Sequence, residues 1–321
     1  MKLKIFLLTI TISFLGFLSS YFIFQDLNYS KISESSENNS NQSISSGKLS
    51  SDQAAFILPV VESTFFPLRD WNVLEPEIGA KAAAVFDSRS GKILFQKNIK
   101  TSLPIASITK LLTAMITVEN LDLNLKIFVP KEAVNADNEG GADLFLNEEI
   151  MVGDLLRMLL IKSSNDSAVS LRMLLEERGI DMISAINLKA ESVGMSGSKF
   201  YDSAGLNDDG YSTVEDLIKL AQYVKRYPKI QDTLLTKNAK IKSADGRFSH
   251  DLETTNKLLG IVPDIEFGKT GYTDGALGTM VLMVKLPAHE SSLIVVVLGS
   301  SDRFGDIQRL IDWAKSAHRW E

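Results

Sequence analysis

The sequence predicts an α/β fold in which an antiparallel sheet, assembled from both ends of the domain, is flanked by helices and carries a helical insertion. Strand-like runs occur within residues 82–95 and again after residue 265, whereas the periodicity between them is helical. With 321 residues, 45% of them hydrophobic and 23% charged, the chain can bury a large core. The part from about Ala54 to Glu321 is predicted to be one domain.

Each element follows from a local pattern. The apolar runs 82–86 and 93–95 flank a turn that contains Gly91, which is typical of a hairpin. Gly, Pro and Ser separate the later strand-like runs, which are 265–269, 279–286 and 293–298. Apolar residues at three- and four-residue spacing predict helices around 111–116, 155–160, 168–175, 217–224 and 306–318. Ser212 and Glu215 form a capping-box pattern where the fourth of these helices begins.

Two segments precede the predicted domain. Ile5–Phe24 has no charged residue and follows Lys2 and Lys4, and it is long enough for a helix to cross a hydrocarbon core of roughly 30 Å. We expect residues 1–25 to be an uncleaved, single-pass membrane anchor with a cytoplasmic N-terminus; a cleaved signal would give a secreted protein. Residues 26–53 are rich in Ser and Asn and predict a flexible tether to an extracytoplasmic domain.

Composition excludes several classes of function. The formal net charge is −6, from 34 Lys and Arg against 40 Asp and Glu, so nucleic acid is not an expected partner. The chain has no cysteine, which excludes disulfides, thiolate metal sites and a cysteine nucleophile. His250, His289 and His318 are far apart and lack metal-ligand spacing, so neither a metal centre nor a Ser-His-Asp triad is expected.

One candidate for nucleophilic chemistry begins the first predicted helix. Ser107 and Lys110 share a helical face, so the amine could accept the hydroxyl proton while the helix dipole favours the developing alkoxide. The same Ser-x-x-Lys pattern occurs twice elsewhere, at Ser45/Lys48 and Ser196/Lys199. Chance on a solvated surface is therefore the alternative explanation. Only the pair at Ser107 follows a proline and opens an apolar helix, which favours it.

A polar interruption between two apolar helical runs supplies the second candidate. Ser163 and Asn165 are two residues apart there. Projecting into a cleft, they could relay a proton and hold a lysine. An interhelical turn in which Ser and Asn act as caps is the alternative.

The third candidate lies on a predicted strand near the C-terminus. Lys269 and Thr270 supply a cation and a hydroxyl that can bind a carboxylate, and Gly271 allows a substrate backbone to approach closely. An ordinary solvated strand end is the alternative.

In this order, the three motifs resemble the Ser-x-x-Lys, Ser-x-Asn and Lys-Thr-Gly set of the serine active-site penicillin-recognising enzymes. The resemblance covers most of Ala80 to Trp313 and is greatest to the D-alanyl-D-alanine carboxypeptidases of the low-molecular-mass penicillin-binding group. Stretches outside the motifs add to it, namely 203–206, 211–213 and 255–259.

The resemblance implies a serine-type carboxypeptidase of the cell wall. It would remove the terminal D-alanine from peptidoglycan stem peptides through an acyl-enzyme on Ser107, and β-lactam antibiotics would inhibit it. No cofactor is implied. The partners would be the stem peptides and, through the N-terminal segment, the membrane.

The resemblance also implies a role for each motif residue. Lys110 would be the general base for Ser107, and Ser163 would relay a proton towards the leaving amine. Backbone N–H groups of Ser107 and Tyr272 would form the oxyanion hole. The remaining residues would bind the substrate: Asn165, Lys269, Thr270 and Gly271.

Two departures from the family pattern bear on substrate preference. Asp202 stands where an asparagine is usual, and Leu277 stands within a segment that is commonly Ala-Ala-Gly or Leu-Ala-Gly. A DD-endopeptidase that cuts peptidoglycan crosslinks is therefore one alternative. A β-lactamase would need a carboxylate to activate the deacylating water, and the loop 202–209 offers only aspartates. A catalytically silent peptidoglycan-binding module is a further alternative, which the complete motif set disfavours.

Overall fold

The computed structural model of the chain describes residues 66–134, 136 and 143–320. The predicted anchor and tether lie outside the described residues. Within the described part, no helix combines the length and the apolar character that crossing a bilayer requires.

The strands of the described residues form one large sheet and three small ones. The small sheets pair β1 with β11, β4 with β5 and β6 with β7. The strands are β1 (Pro67–Arg69), β2 (Ala82–Asp87), β3 (Ile93–Lys97), β4 (Lys126–Phe128), β5 (Glu149–Met151), β6 (Asn238–Lys242), β7 (Ser249–Glu253), β8 (Ile265–Thr273), β9 (Leu277–Leu286), β10 (Ser291–Ser300) and β11 (His318–Trp320).

The large sheet has the strand order β3-β2-β10-β9-β8, and each neighbouring pair is antiparallel. Two of its strands come from the start of the domain and three from the end. The prediction of an antiparallel sheet assembled from both ends is confirmed. Because β8 lies at the edge, one side of this strand is open to the site described below.

Both faces of this sheet are buried, because alternate residues of β10 contact different hydrophobic clusters. Ile294 and Val296 belong to the cluster that includes the inserted helices. Val295 and Val297 belong to the cluster formed with the C-terminal helix. A central strand that is covered on both sides reads as one continuous apolar run rather than as an alternating one.

The helices lie mostly between β3 and β8, as predicted for the insertion. They are α1 (Lys110–Asn120), α2 (Val152–Arg157), α3 (Asn165–Glu176), α4 (Met182–Val193), α5 (Val214–Val224), α6 (Pro228–Leu234) and α7 (Arg303–Ala317). A π-helical turn, Met158–Lys162, continues α2. Helices α4 and α6 were not predicted. Leu188 of α4 is 64% exposed and disturbs the apolar period, and α6 has only seven residues.

The predicted capping box at Ser212 is wrong by one residue. Thr213 is the N-cap of α5, and its Oγ1 accepts a hydrogen bond from the Asp216 backbone N–H at 3.1 Å. Ser212 Oγ instead lies 2.7 Å from Ser198 Oγ. Both Ser212-x-x-Glu215 and Thr213-x-x-Asp216 fit the capping pattern, so local sequence does not distinguish them.

Asp87 fixes the turn between β2 and β3. Its carboxylate accepts hydrogen bonds from the backbone and hydroxyl of Ser90, from Ser291 and from the Trp320 indole, at 2.7–2.9 Å. Burial acts to raise the pKa of Asp87, but these hydrogen bonds outweigh it and hold the pKa below its ordinary value.

We expect Asp87→Asn to lower the free energy of unfolding at pH 7 by about 1–3 kcal/mol, because an amide cannot accept at both oxygen positions. Since the pKa of Asp87 is lowered on folding, its contribution is present above the unfolded value and is lost as pH falls through the folded value. Urea unfolding of both proteins at pH 7 and at about pH 3 checks this. If the difference in free energy of unfolding between the two proteins were the same at both pH values, the assigned role of the Asp87 carboxylate would be contradicted.

Candidate active site

Ser107 and Lys110 meet at the junction of a 3₁₀ turn, Ala106–Thr109, with α1. Lys110 Nζ donates a hydrogen bond to Ser107 Oγ at 2.7 Å. The lysine side chain is fully buried, while Ser107 is half-buried. Ala106 has a positive φ of 48°, a conformation that costs a non-glycine residue of order 1–3 kcal/mol and is characteristic of functional sites.

Asn165 brings a second element to this lysine. It begins α3, and its Oδ1 accepts a hydrogen bond from Lys110 Nζ at 2.7 Å. Ser164, the N-cap of α3, accepts from the Ser167 backbone N–H at 3.2 Å. The segment therefore has both of the roles predicted from the sequence. Ser164 caps α3, and the Asn165 amide holds Lys110.

Ser163 lies between the π-helical turn and α3, with a positive φ of 65°. Its Oγ accepts a hydrogen bond from Lys269 Nζ at 2.8 Å. Ser163 thus links the helical insertion to the edge strand of the sheet, across 106 residues of sequence.

Lys269 is buried, with only 1% of its surface exposed, so the alternative of a solvated strand end is wrong. Its Nζ also donates to the Thr270 carbonyl at 2.9 Å. Burial lowers the pKa of Lys269 well below its ordinary value, and the nearby charges of Lys110 and Arg303 lower it further. An anion that binds here would restore the ammonium form.

The strand next to Lys269 passes directly against the candidate nucleophile. A Cβ added at Gly271 would lie 2.9 Å from the Ser107 backbone nitrogen and 2.9 Å from the Ile105 carbonyl oxygen. Glycine is therefore required by this close approach. Tyr272 follows it on β8 and is 58% exposed. This geometry brings β8 to the Ser107 amide, and the oxyanion hole itself stays a prediction.

Three participants in the site were not predicted from sequence. Arg303, at the start of α7, is close enough to Lys269 to affect its pKa, and burial lowers the pKa of Arg303 itself. Thr255 Oγ1 lies 2.6 Å from Thr270 Oγ1. The Ala204 carbonyl accepts from Lys110 Nζ at 2.9 Å. Thr255 and Ala204 lie in family-like stretches, but Arg303 has no local signal.

Three basic side chains, Lys110, Lys269 and Arg303, lie near one another, and the two lysines are buried. Such a site favours an anionic substrate.

His250 is paired with Glu148 at 2.6 Å. Among the residues that the structure describes, no cluster of three or more His, Asp or Glu side chains could hold a metal ion.

This arrangement contains the parts of a covalent acyl-transfer site. A hydroxyl contacts an amine, an amide orients that amine, and backbone N–H groups and cations border the same space. All of the motif residues predicted from sequence belong to the elements that meet here.

Comparison with known proteins agrees with this geometry. A family model described as D-alanyl-D-alanine carboxypeptidase matches residues 70–302. The chain is 30% identical over 245 residues to a D-alanyl-D-alanine endopeptidase of Escherichia coli (strain K12), covering 75% of this chain and 79% of the relative. It is 28% identical to the D-alanyl-D-alanine carboxypeptidase DacF of Bacillus subtilis (strain 168), covering 74% of this chain and 63% of that relative.

Two solved structures of penicillin-binding or DD-transpeptidase proteins are similar to this chain. The Streptomyces K15 DD-transpeptidase superposes with a TM-score of 0.70 at 25% identity, covering 76% of this chain and all of that chain. Penicillin-binding protein D2 from Listeria monocytogenes, in its cefotaxime-bound form, gives a TM-score of 0.63 at 28% identity, covering 75% of this chain and 99% of that one.

Proposed function

This chain belongs to the D-alanyl-D-alanine carboxypeptidase family, and we propose on that premise that it removes the terminal D-alanine from peptidoglycan stem peptides. The observation that carries the proposal is the position of Lys110 Nζ, at 2.7 Å from both Ser107 Oγ and Asn165 Oδ1. A buried amine that is held against a hydroxyl in this way can activate it for attack on a carbonyl.

Acylation follows from these contacts. Ser107 Oγ attacks the carbonyl carbon of the penultimate D-alanine while its proton passes to the neutral amine of Lys110. Ser163 relays a proton to the nitrogen of the scissile bond, so the C–N bond breaks and D-alanine leaves. Water then attacks the ester on Ser107 and releases the shortened peptide.

The carbonyl oxygen of the substrate becomes negatively charged in the tetrahedral intermediate and needs hydrogen-bond donors beside it. We assign these to the backbone N–H groups of Ser107 and Tyr272, which the close approach at Gly271 supports. Loss of one such donor typically costs about 10²–10³ in rate.

Lys269 supplies the charge that binds the free carboxylate of the substrate, with Thr270 beside it and Arg303 nearby. A peptide that ends in a carboxylate satisfies these cations, whereas an amidated end does not. Because the pKa of Lys269 is lowered in the free protein and carboxylate binding favours the ammonium form, KM should rise as pH increases through that pKa.

We expect Lys269→Met to lower kcat/KM for a pentapeptide ending in D-Ala-D-Ala by about 10²-fold or more, because the substrate carboxylate loses its buried partner. The measurement is D-alanine release from the pentapeptide and from its C-terminally amidated form. The wild type should prefer the free carboxylate strongly, and the variant should lose that preference.

Lys285→Met is the matched control, because Lys285 is an exposed lysine on the neighbouring strand β9. It should keep both the rate and the carboxylate preference. A Lys269→Met protein that still discriminates against the amide would show that carboxylate recognition lies elsewhere.

A DD-endopeptidase that cuts crosslinks is the second candidate function. The observation that favours it is the 30% identity to the Escherichia coli endopeptidase, whose length this chain covers to 79%. Crosslinked muropeptide dimers and the pentapeptide, offered to the same protein, distinguish the two functions. Efficient dimer cleavage with little D-alanine release would transfer the assignment to the endopeptidase.

β-Lactams should acylate the same serine, because their strained amide offers a carbonyl and a carboxylate at a comparable spacing. The cefotaxime-bound form of penicillin-binding protein D2 supports this proposal.

We also propose that residues 1–25 anchor the protein with an extracytoplasmic catalytic domain. The uncharged run Ile5–Phe24 after Lys2 and Lys4 supports this. The native protein should fractionate with membranes, and deletion of residues 1–53 should release an active domain. Recovery of membrane-derived protein that lacks its first 25 residues would contradict the anchor. Protection of the domain from protease in spheroplasts would contradict its extracytoplasmic location.

A further inference from the structure

We propose that Asp202 is a positioning residue that polarises the peptide group holding Lys110 and thereby sets the pH range in which Ser107 is acylated. The inference rests on the proposed function of Ser107 and Lys110. It gives a physical role to one of the two departures from the family pattern.

One peptide group connects the carboxylate to the lysine. Lys110 Nζ donates to the Ala204 carbonyl at 2.9 Å. The nitrogen of the same peptide unit belongs to Gly205, and its N–H donates to Asp202 Oδ1. That oxygen also accepts from the Ala204 N–H at 2.6 Å. The ammonium and the carboxylate therefore lie at opposite ends of a single polarisable amide.

The position of this peptide group is fixed by packing. Gly205 has a φ of 77°, and a Cβ added to it would lie 2.0 Å from the Ala106 carbonyl oxygen. Asp202 Oδ2 accepts from the Asn207 N–H at 2.6 Å, and Thr113 Oγ1 donates to the Ser203 carbonyl at 2.6 Å. The turn is thus held against the residue that precedes the nucleophile, so the amide cannot rotate away from Lys110.

Hydrogen bonds to an ionised group are stronger than neutral ones, and bonds in a chain polarise one another in a low-dielectric interior. The Asp202 carboxylate makes the Ala204 oxygen a better acceptor, which stabilises the ammonium form of Lys110. The coulombic interaction of Lys110 with Lys269 of β8 opposes this, and Arg303 of α7 acts in turn on Lys269.

On α3, the side chain that contacts Lys110 carries no charge. Asn165 of α3 is neutral, and the adjacent Asp166 carboxylate is already held by the backbone N–H groups of Ala136, Asp143 and Leu144. Asp202 therefore acts against the unfavourable interaction of Lys110 with Lys269. It keeps the lysine basic enough to accept the proton of Ser107.

The test is the rate of Ser107 acylation by a fluorescent penicillin between about pH 5 and pH 10, in the full-length protein. In Asp202→Asn, loss of the carboxylate charge should move the acid limb of the profile to lower pH by about 1 unit. The plateau rate should fall by roughly a factor of three, because the weaker base is a poorer proton acceptor.

Asp209→Asn is the matched control, since it removes the same charge from an exposed position on the same loop. Its profile should superimpose on that of the wild type. An equal displacement in both variants would overturn the proposal, because general loop charge would explain it. An unchanged profile in a folded Asp202→Asn protein would also overturn it.

Thermal unfolding is measured alongside to confirm that the variant is folded. If Asp202→Asn does not fold, Asp202→Ser keeps a hydroxyl acceptor without the charge and should give the same displacement. Acylation of the wild type at Ser107 tests the proposed nucleophile independently. Failure of that reaction would remove the catalytic role proposed for Ser107, whereas an unmoved profile would remove only the role of Asp202.

Discussion

Ser107→Ala should reduce D-alanine release by about 10⁶-fold, the order of magnitude seen when the catalytic nucleophile of a serine peptidase is removed. Ser107 is half-buried, and Lys110 Nζ keeps its contacts with Asn165 and Ala204 when the hydroxyl is absent. The thermal midpoint should therefore stay close to that of the wild type. Release of D-alanine from the pentapeptide and calorimetry on the same sample measure both quantities.

Ser196→Ala is the control for this substitution. Ser196 belongs to another Ser-x-x-Lys pair, but it is exposed and lies in a loop after α4. Its replacement should leave the rate unchanged. If Ser107→Ala retained activity within tenfold of the wild type and Ser196→Ala did not, the nucleophile would have been assigned to the wrong motif.

Lys110→Met should lower the rate of acylation by about 10²–10⁴-fold, the usual contribution of a general base. Methionine matches the lysine stem in size and removes only the amine. The loss should appear in kcat, because Lys110 is buried behind Ser107 and no free-carboxylate contact is assigned to it. Rapid-mixing measurement of penicillin acylation separates this step from deacylation.

Lys199→Met serves as the matched control, because Lys199 is the exposed lysine of the same Ser196-x-x-Lys199 pattern. Acylation should proceed at the wild-type rate in that variant. A Lys110→Met protein that acylates within tenfold of the wild type would mean that a different group takes the proton of Ser107.

Much of this fold can be predicted from the sequence because its central strands are buried on both faces. Residues 293–298 form an uninterrupted apolar run for this reason, and they are indeed the core of β10. The insertion is less regular. Helix α6 is too short to establish a period, and Pro228 both follows α5 and begins α6. Proline therefore identifies the boundary without indicating the helix beyond it.

In the site, contacts between residues close in sequence could be predicted, whereas contacts between distant residues could not. Ser107 and Lys110 are within one turn, so their contact follows from spacing, although Ser107 lies in a 3₁₀ turn rather than in the helix itself. The contact of Lys269 with Ser163 joins positions 106 residues apart, which local spacing cannot show.

Ala204 and Arg303 contribute to the site, but the sequence contains no pattern that predicts either of them. The Ala204 acceptor is a backbone carbonyl, which leaves no trace in residue type. Arg303 begins a helix far along the chain and reaches the site only through the packing of α7 on the sheet. Such groups become visible only when the tertiary structure is known.

The central claim is that Ser107 is the nucleophile of a single acylation site, and mass spectrometry after incubation with a labelled penicillin tests it most directly. Digestion and fragmentation of the wild-type protein locate the adduct. We predict one equivalent of penicillin on Ser107 and none on Ser196. An adduct on Ser196, or no adduct on protein that still releases D-alanine from the pentapeptide, would contradict the claim.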